Sequence, residues 1–240
     1  MDFEFIQSKF HDFKKKNSNS AFAKIDDFFE EIKEQYLSEK TKELVKTGLS
    51  RDSAHNKARQ SWRTFVGYSL QRLLTVMLEE LFSGTDLRFV KDSELSSNNL
   101  SKEKDLVRRM LEIHFNKYSF LPDADIIVYK YDSKKEAVKI FCVLSVKNSF
   151  RERGFETTYW KLKLKESQIT KHIKMFMVTP DKDDEMNVIE GTRGPKKTRV
   201  ILEYELDRIY MAREDFEKTD KVKEIDKLFG DIKTLVDKNE

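Results

Sequence analysis

The hydrophobic period of the chain changes at residue 121, and that change limits the fold more than any other feature. Before it, apolar residues recur every three or four positions. After it come two β-branched and aromatic runs, Ile126-Ile127-Val128-Tyr129 and Val138 to Val146, which suit a pleated, half-buried surface. Asp132, Ser133, Lys134 and Lys135 between them read as a turn, so the two runs pair as an antiparallel hairpin. Gly154 to Ser167 reads as a helix, and Ile173 to Val178 as a third strand ended by Thr179, Pro180 and Asp181. Arg199 to Leu202 reads as a strand continuing to Met211. Residues 213–240 read as a charged terminal helix with Val222, Ile225, Leu228, Phe229, Ile232 and Leu235 at helical spacing.

The first 82 residues read as helices. Phe22, Ile25, Phe28, Phe29, Ile32, Tyr36 and Leu37 make one apolar stripe, with Asn19 or Ser20 placed to cap its start. Gly48 ends that piece. A further helix starts near Arg51, Asp52 and Ser53 and carries Trp62, Val66, Leu70, Leu73, Leu74, Met77, Leu81 and Phe82 to a stop at Gly84. Residues 91–104 are polar and read as a surface loop, and 105–117 as a short helix. The order is helices, then strand–strand–helix–strand–strand, then helix: an α/β chain with a helical N-terminal region over 1–60 and a core over 61–240.

Composition removes several function classes. Lys and Arg number 46 against 43 Asp and Glu, a net charge of +3, so coating a polyanion with a basic tail is not the main activity. Gly 7 and Pro 3 are too few for a glycine-rich nucleotide loop. The one cysteine, Cys142, rules out a disulfide framework and a multi-cysteine zinc site, and inside a strand it reads as a small buried apolar residue. His11, His55, His114 and His172 have no pair at metal-ligand spacing. Apolar runs are far shorter than the roughly 20 residues a membrane span needs, and the start of the chain lacks the pattern of a signal peptide. A soluble, cytoplasmic protein with no membrane partner is expected.

The chemistry gathers at one end of the hairpin. Asp123 and Asp125 stand just before the first strand, and Lys147 follows Val143, Leu144, Ser145 and Val146 at the end of the second. Antiparallel pairing carries those two ends to the same sheet edge. Taken singly they read as strand-start and strand-end residues. Together, a carboxylate can hold a divalent cation through oxygen, and a lysine beside it can orient or activate a water. A few residues on stands Arg151-Glu152-Arg153. Arginine's fork fits guanine O6 and N7, and glutamate accepts from cytosine N4, so the triplet suits adjacent G·C pairs; alone, it also reads as a solvated helix start. Residues 147–174 hold eight Lys or Arg and three Asp or Glu, which points to a basic reading face. Arg193 to Arg199 reads as a phosphate contact or a solvated loop. Arg51, Lys57, Arg59 and Arg63 are placed for contact with a minor groove, or their helices for a dimer contact.

Pro122-Asp123-Ala124-Asp125-Ile126-Ile127-Val128, Ser145-Val146-Lys147 and Arg151-Glu152-Arg153 resemble the type II restriction endonucleases of the PD-(D/E)XK superfamily, and within it the group that reads CCGG or CCNGG cores. That group has Ser-x-Lys where the superfamily usually has Asp/Glu-x-Lys, and an Arg-(Asp/Glu)-Arg triplet just after. Asp125 lies 22 residues before Lys147, a separation similar to the group's. The resemblance covers roughly residues 60–211 and includes Tyr159 to Leu162 and Phe176 to Asp181. It implies a restriction-endonuclease-like core with a mixed four- to five-stranded sheet flanked by helices. It further implies Asp125 as metal ligand, Lys147 as catalytic lysine, Arg151, Glu152 and Arg153 on bases, and Mg²⁺ as cofactor. The group often takes a second carboxylate from the helix 13 or 14 residues after the lysine, but those positions here are Trp160 and Lys161. Glu80 is the first replacement, as catalytic residue and metal ligand, followed by Glu79 and Glu156; Gln71 is another polar position on the helix of Glu80.

The resemblance thus implies a Mg²⁺-dependent, site-specific endonuclease cutting double-stranded DNA at a short palindrome with a CCGG or CCNGG-like core. It would act as a homodimer and imply a cognate DNA methyltransferase. A structure-specific or repair nuclease of the same superfamily and a non-catalytic DNA-binding protein are the alternatives.

Overall fold

The computed structural model describes residues 1–17, 20–149, 154–186 and 194–239. Three helices come first: α1 (Phe3–Asn17), α2 (Ile25–Lys46) and α3 (Arg51–Leu81). Gly48 and Gly84, both at positive φ, stand just beyond α2 and α3, in the left-handed conformation that closes a helix at least cost in glycine. Ser50 caps α3 by accepting from the Ser53 amide at 3.4 Å. α3 runs unbroken through residue 60, and its buried apolar residues from Ala58 to Leu78 share one cluster with α1, α2 and the sheet.

Next come β1 (Leu87–Val90), α4 (Asp92–Leu95), α5 (Lys102–Leu111) and a small hairpin of β2 (Ile113–Phe115) and β3 (Tyr118–Phe120). The chain then enters β4 (Ile126–Asp132), β5 (Ala137–Val146), α6 (Gly154–Glu166), β6 (Lys174–Thr179), α7 (Lys197–Glu205), β7 (Arg208–Met211), β8 (Val222–Glu224) and α8 (Lys227–Asp237). The main sheet has the order β1-β4-β5-β6-β7-β8. Its first two pairings are antiparallel and its last three parallel. Parallel neighbours need a long crossover, which α6 supplies from β5 to β6 and α7 from β6 to β7.

Each face of the sheet carries its own core. Ile126 and Val128 of β4 turn toward α1, α2, α3 and α8, whereas Ile127 and Tyr129 turn toward α5, α6 and α7, as the two-residue period of a strand requires. Opposite the Val128–Tyr129 step, β5 carries an extra residue: Val128 pairs with Cys142 and Tyr129 with Ile140. This bulge puts Phe141 and Cys142 in the same apolar cluster. Cys142 is fully buried, as its place in the strand suggested.

The expected α/β class holds, with a mixed sheet between helices. Several elements differ from the sequence reading. The sheet has six strands rather than four or five, because the short strands β1 and β8 add to its two edges. Their four and three residues are too few to display a period. Residues 91–104 contain α4 and the start of α5, capped by Ser101. Residues 113–117 are a strand and turn rather than helix. Residues 199–202 belong to α7: despite the β-branched pair Val200 and Ile201, Thr198, Arg199, Leu202 and Leu206 are buried at three- and four-residue steps. Tertiary burial overrides local β preference there. The terminal segment is helical only over α8; Val222 lies in β8, held by hydrogen bonds such as Ile209 N–H to Lys221 O at 2.8 Å.

Candidate active site

Pro122 and Ala124 lead the chain into β4, and β5 returns antiparallel with Ile126 opposite Leu144. This register brings Asp125 beside Val146 and Lys147. Asp125 Oδ2 accepts from the Val146 amide at 2.6 Å and from Lys147 Nζ at 3.3 Å. Lys147 Nζ also donates to Asp123 Oδ2 at 2.8 Å. The backbone around the pair is fixed from both sides. The Lys147 amide donates to Val178 O of β6 at 2.9 Å, and Gln71 Nε2 of α3 donates to the Asp125 carbonyl at 2.8 Å.

Burial sets the electrostatics. The Lys147 side chain is 11% exposed. Burial alone would lower its pKa, but the Asp125 and Asp123 carboxylates together outweigh it and hold the ammonium above the ordinary lysine value. Burial raises the Asp125 carboxyl above the usual range, and the neighbouring Asp123 charge adds to this, while Lys147 and the Val146 N–H oppose it. Asp92, at the start of α4, is also raised, first by burial and then by Asp123.

These groups line one open cleft of about 1290 Å³ between α3, α4, α6 and the sheet edge. Its described lining carries the carboxylates Glu30, Asp92, Glu112, Asp123, Asp125, Glu156 and Asp183, against the basic groups Arg63, Arg108, Lys147 and Lys182. Among the described residues of 147–174, several of the basic side chains have acidic partners. Lys161 and Lys174 pair with Asp207, Lys163 with Glu166 and Lys165 with Glu205. Arg199, expected near phosphate, is buried and donates to the Met186 and Glu217 carbonyls.

The predicted site residues divide into three sets. Asp125 and Lys147 are brought together. Glu79 and Glu80 are exposed on α3; Glu80 lines a separate groove with Glu4, His11 and Lys14. It is nine residues beyond Gln71, about 13 Å along the helix, so the fold does not bring it to Asp125. Glu156 does line the cleft. Arg151, Glu152 and Arg153 lie outside the described residues. Ser145 is fully buried, its hydroxyl 3.2 Å from that of Thr157 on α6. Trp160 reaches the cleft wall, with a buried indole N–H that has no hydrogen-bond partner among the described residues. Lys161 turns the other way and bonds Asp207 and the Ile173 carbonyl.

Sequence reasoning missed Asp92 and Glu112 as cleft carboxylates. Both flank elements that were not recognised, α4 with β1 and the junction of α5 with β2, so nothing local marked them. Among the described residues, no three His, Cys, Asp or Glu side chains converge closely enough to hold a metal ion by themselves. No described helix is long and apolar enough to cross a membrane.

The family model described as BsaWI restriction endonuclease type 2 matches residues 91–234, a span that contains Asp92, Asp123, Asp125, Lys147 and Glu156. MjaVIP of Methanocaldococcus jannaschii, assigned by name to the type II restriction enzymes, is 49% identical over 208 residues, covering 87% of this chain and 91% of the relative. HpyAORF263P of Helicobacter pylori, assigned by name to the same class, is 39% identical over 167 residues, covering 70% and 84%. A crystal structure of the pre-specific BsaWI–DNA complex aligns with a TM-score of 0.48 at 11% identity, covering 99% of this chain and 93% of that one.

Proposed function

The chain belongs to the BsaWI family of type 2 restriction endonucleases, and from that membership we propose that it hydrolyses double-stranded DNA at a short G·C-containing palindrome, in a Mg²⁺-dependent reaction centred on Asp125 and Lys147. The observation that carries this reading is Lys147 held between Asp123 and Asp125 at the sheet edge of an open cleft.

The donor set fits a hard divalent cation. Mg²⁺ is bound through one or two carboxylates and keeps water or phosphate oxygens in its remaining positions. Asp125 would be the first ligand. Glu156, or Asp123 released from Lys147, would be the second; Glu80 lies in another groove, away from Asp125. The excess of carboxylates in the described lining favours a cation before a polyanion enters. When bound, the metal would polarise the scissile phosphate and assist ionisation of a water. Lys147 would stabilise charge developing on the phosphate oxygens, and Gln71 would keep the Asp125 backbone in place.

Arg151, Glu152 and Arg153, a few residues beyond Lys147 in sequence, would read G·C pairs, with a CCGG or CCNGG-like core as the target. Cutting both strands of a palindrome needs two such sites, which a two-fold homodimer supplies. A cognate methyltransferase would protect the same sequence.

Incubating the purified protein with unmethylated phage DNA, in Mg²⁺ and in EDTA, tests the proposal. Discrete fragments formed only with metal support it, and sequencing their ends gives the site. A smear would indicate a sequence-indifferent nuclease, and binding without cutting a non-catalytic protein.

A further inference from the structure

The wall of the cleft facing the catalytic edge is α3, and it carries a glycine that the helix does not need. Gly67 lies near the middle of the 31-residue helix, where glycine weakens a helix relative to alanine through backbone entropy. A crossing helix does not explain it, because a Cβ built on Gly67 would meet nothing beyond its own helix within 4 Å among the described residues. Gly230, in the first turn of α8, also has free space, but it lines no part of the cleft. Gly67 lines the cleft, and so do Arg63 and Gln71, one step of four residues to either side on the same helical stripe.

The two flanking residues give the stripe its meaning. Gln71 donates to the Asp125 carbonyl at 2.8 Å, which fixes the stripe's position relative to the catalytic edge. Arg63 is exposed and takes part in no ion pair or hydrogen bond among the described residues. It is therefore a cation facing solvent at the mouth of a cleft whose lining is otherwise rich in carboxylates. From Arg63 to Gln71 the stripe spans about 12 Å, three or four steps of one DNA strand at roughly 3.4 Å each.

We propose that α3 is the second wall of the DNA track, with Gly67 leaving room for the sugar–phosphate backbone to pass close to the helix and Arg63 holding one of its phosphates. This rests on the nuclease reading of the cleft and adds to it the surface that positions the strand. Gly67 and Arg63 are positioning residues. They bring the backbone into the cleft without touching the reacting phosphate and carry no sequence preference, as backbone contacts do.

Gly67→Ala and Arg63→Ala test the proposal, with Lys233→Ala, an exposed lysine of α8 outside the cleft, as the control. Each is measured for Tm, for binding to a linear DNA fragment of mixed sequence in EDTA across a salt series, and for cutting in Mg²⁺. Gly67→Ala is expected to raise Tm yet weaken binding and slow cutting, each by about tenfold, an opposition that a purely structural role would not give. Arg63→Ala should reduce the salt slope by about one, the share of a single phosphate contact, while Lys233→Ala leaves it unchanged. The proposal fails if Gly67→Ala binds and cuts like the parent, or lowers Tm. It fails equally if Arg63→Ala keeps the parental slope, or if Lys233→Ala lowers the slope as much as Arg63→Ala. A parent that cuts discretely beside variants that behave like it would remove only the second wall. A parent that neither binds nor cuts duplex DNA would remove the nuclease reading itself.

Discussion

Gln71 donates a 2.8 Å hydrogen bond to the backbone carbonyl of Asp125, across 54 residues of sequence. The bond ties the helical layer directly to the residue that heads β4. Gln71→Leu should leave that carbonyl unsatisfied in a part-buried position, at a cost of about 1–2 kcal/mol. A lowered Tm together with slower cutting in Mg²⁺ is expected. An unchanged cutting rate in a destabilised variant would limit the bond to a structural role.

Lys147→Ala should abolish cleavage while retaining binding. Removing one group that stabilises a developing oxyanion costs about 10²–10³ in rate. Single-turnover cutting against duplex binding in EDTA checks this, and a parental cutting rate would exclude the site. Asp125→Asn should behave alike and should also lose the dependence of Tm on added Mg²⁺.

Arg153→Ala should weaken binding to the target by about 1–3 kcal/mol, the worth of a bidentate base contact, with a far smaller effect on mixed-sequence DNA. Competition between target and non-target fragments measures the ratio. Equal losses on both would make the triplet a phosphate clamp.

Lys161, buried, pairs with the part-buried Asp207 and joins α6 to the start of β7. Breaking a fully buried pair from one side costs about 3–5 kcal/mol; Asp207 keeps the Met175 amide and Lys174, so Lys161→Met should cost less than that and still lower Tm. Replacing both partners with apolar residues should recover much of the loss. Burial alone would raise the Asp207 carboxyl, but Lys161, the Met175 amide and Lys174 hold it below the ordinary value. Its stabilisation is therefore present above the unfolded pKa of about 3.9 and is lost as pH falls through the lower folded value. In acid unfolding, the difference between the parent and Asp207→Asn should shrink below about pH 4.

The meeting of Asp125 and Lys147 was legible in the sequence for a physical reason. Asp125 and Lys147 sit at paired ends of a hairpin. A four-residue turn and a two-residue side-chain period set which ends meet, and both are local properties of residues 125–147. The long apolar periods of α2 and α3 were legible for the same reason.

What surrounds that pair was decided by tertiary packing. Glu80 shares a helix with Gln71, yet the rotation and length of α3 carry it into another groove. Trp160 and Lys161 are neighbours in sequence, yet one reaches the cleft and the other is buried against Asp207, because the packing of α6 around Leu164 against one face of the sheet fixes which way each turns. Asp92 joins the site only because β1 pairs with β4 at the sheet edge. A hairpin's register is written within the hairpin. The placing of α3, α4 and α6 over it depends on two apolar cores, one on each face of the sheet, whose residues come from the whole chain and meet only when it folds.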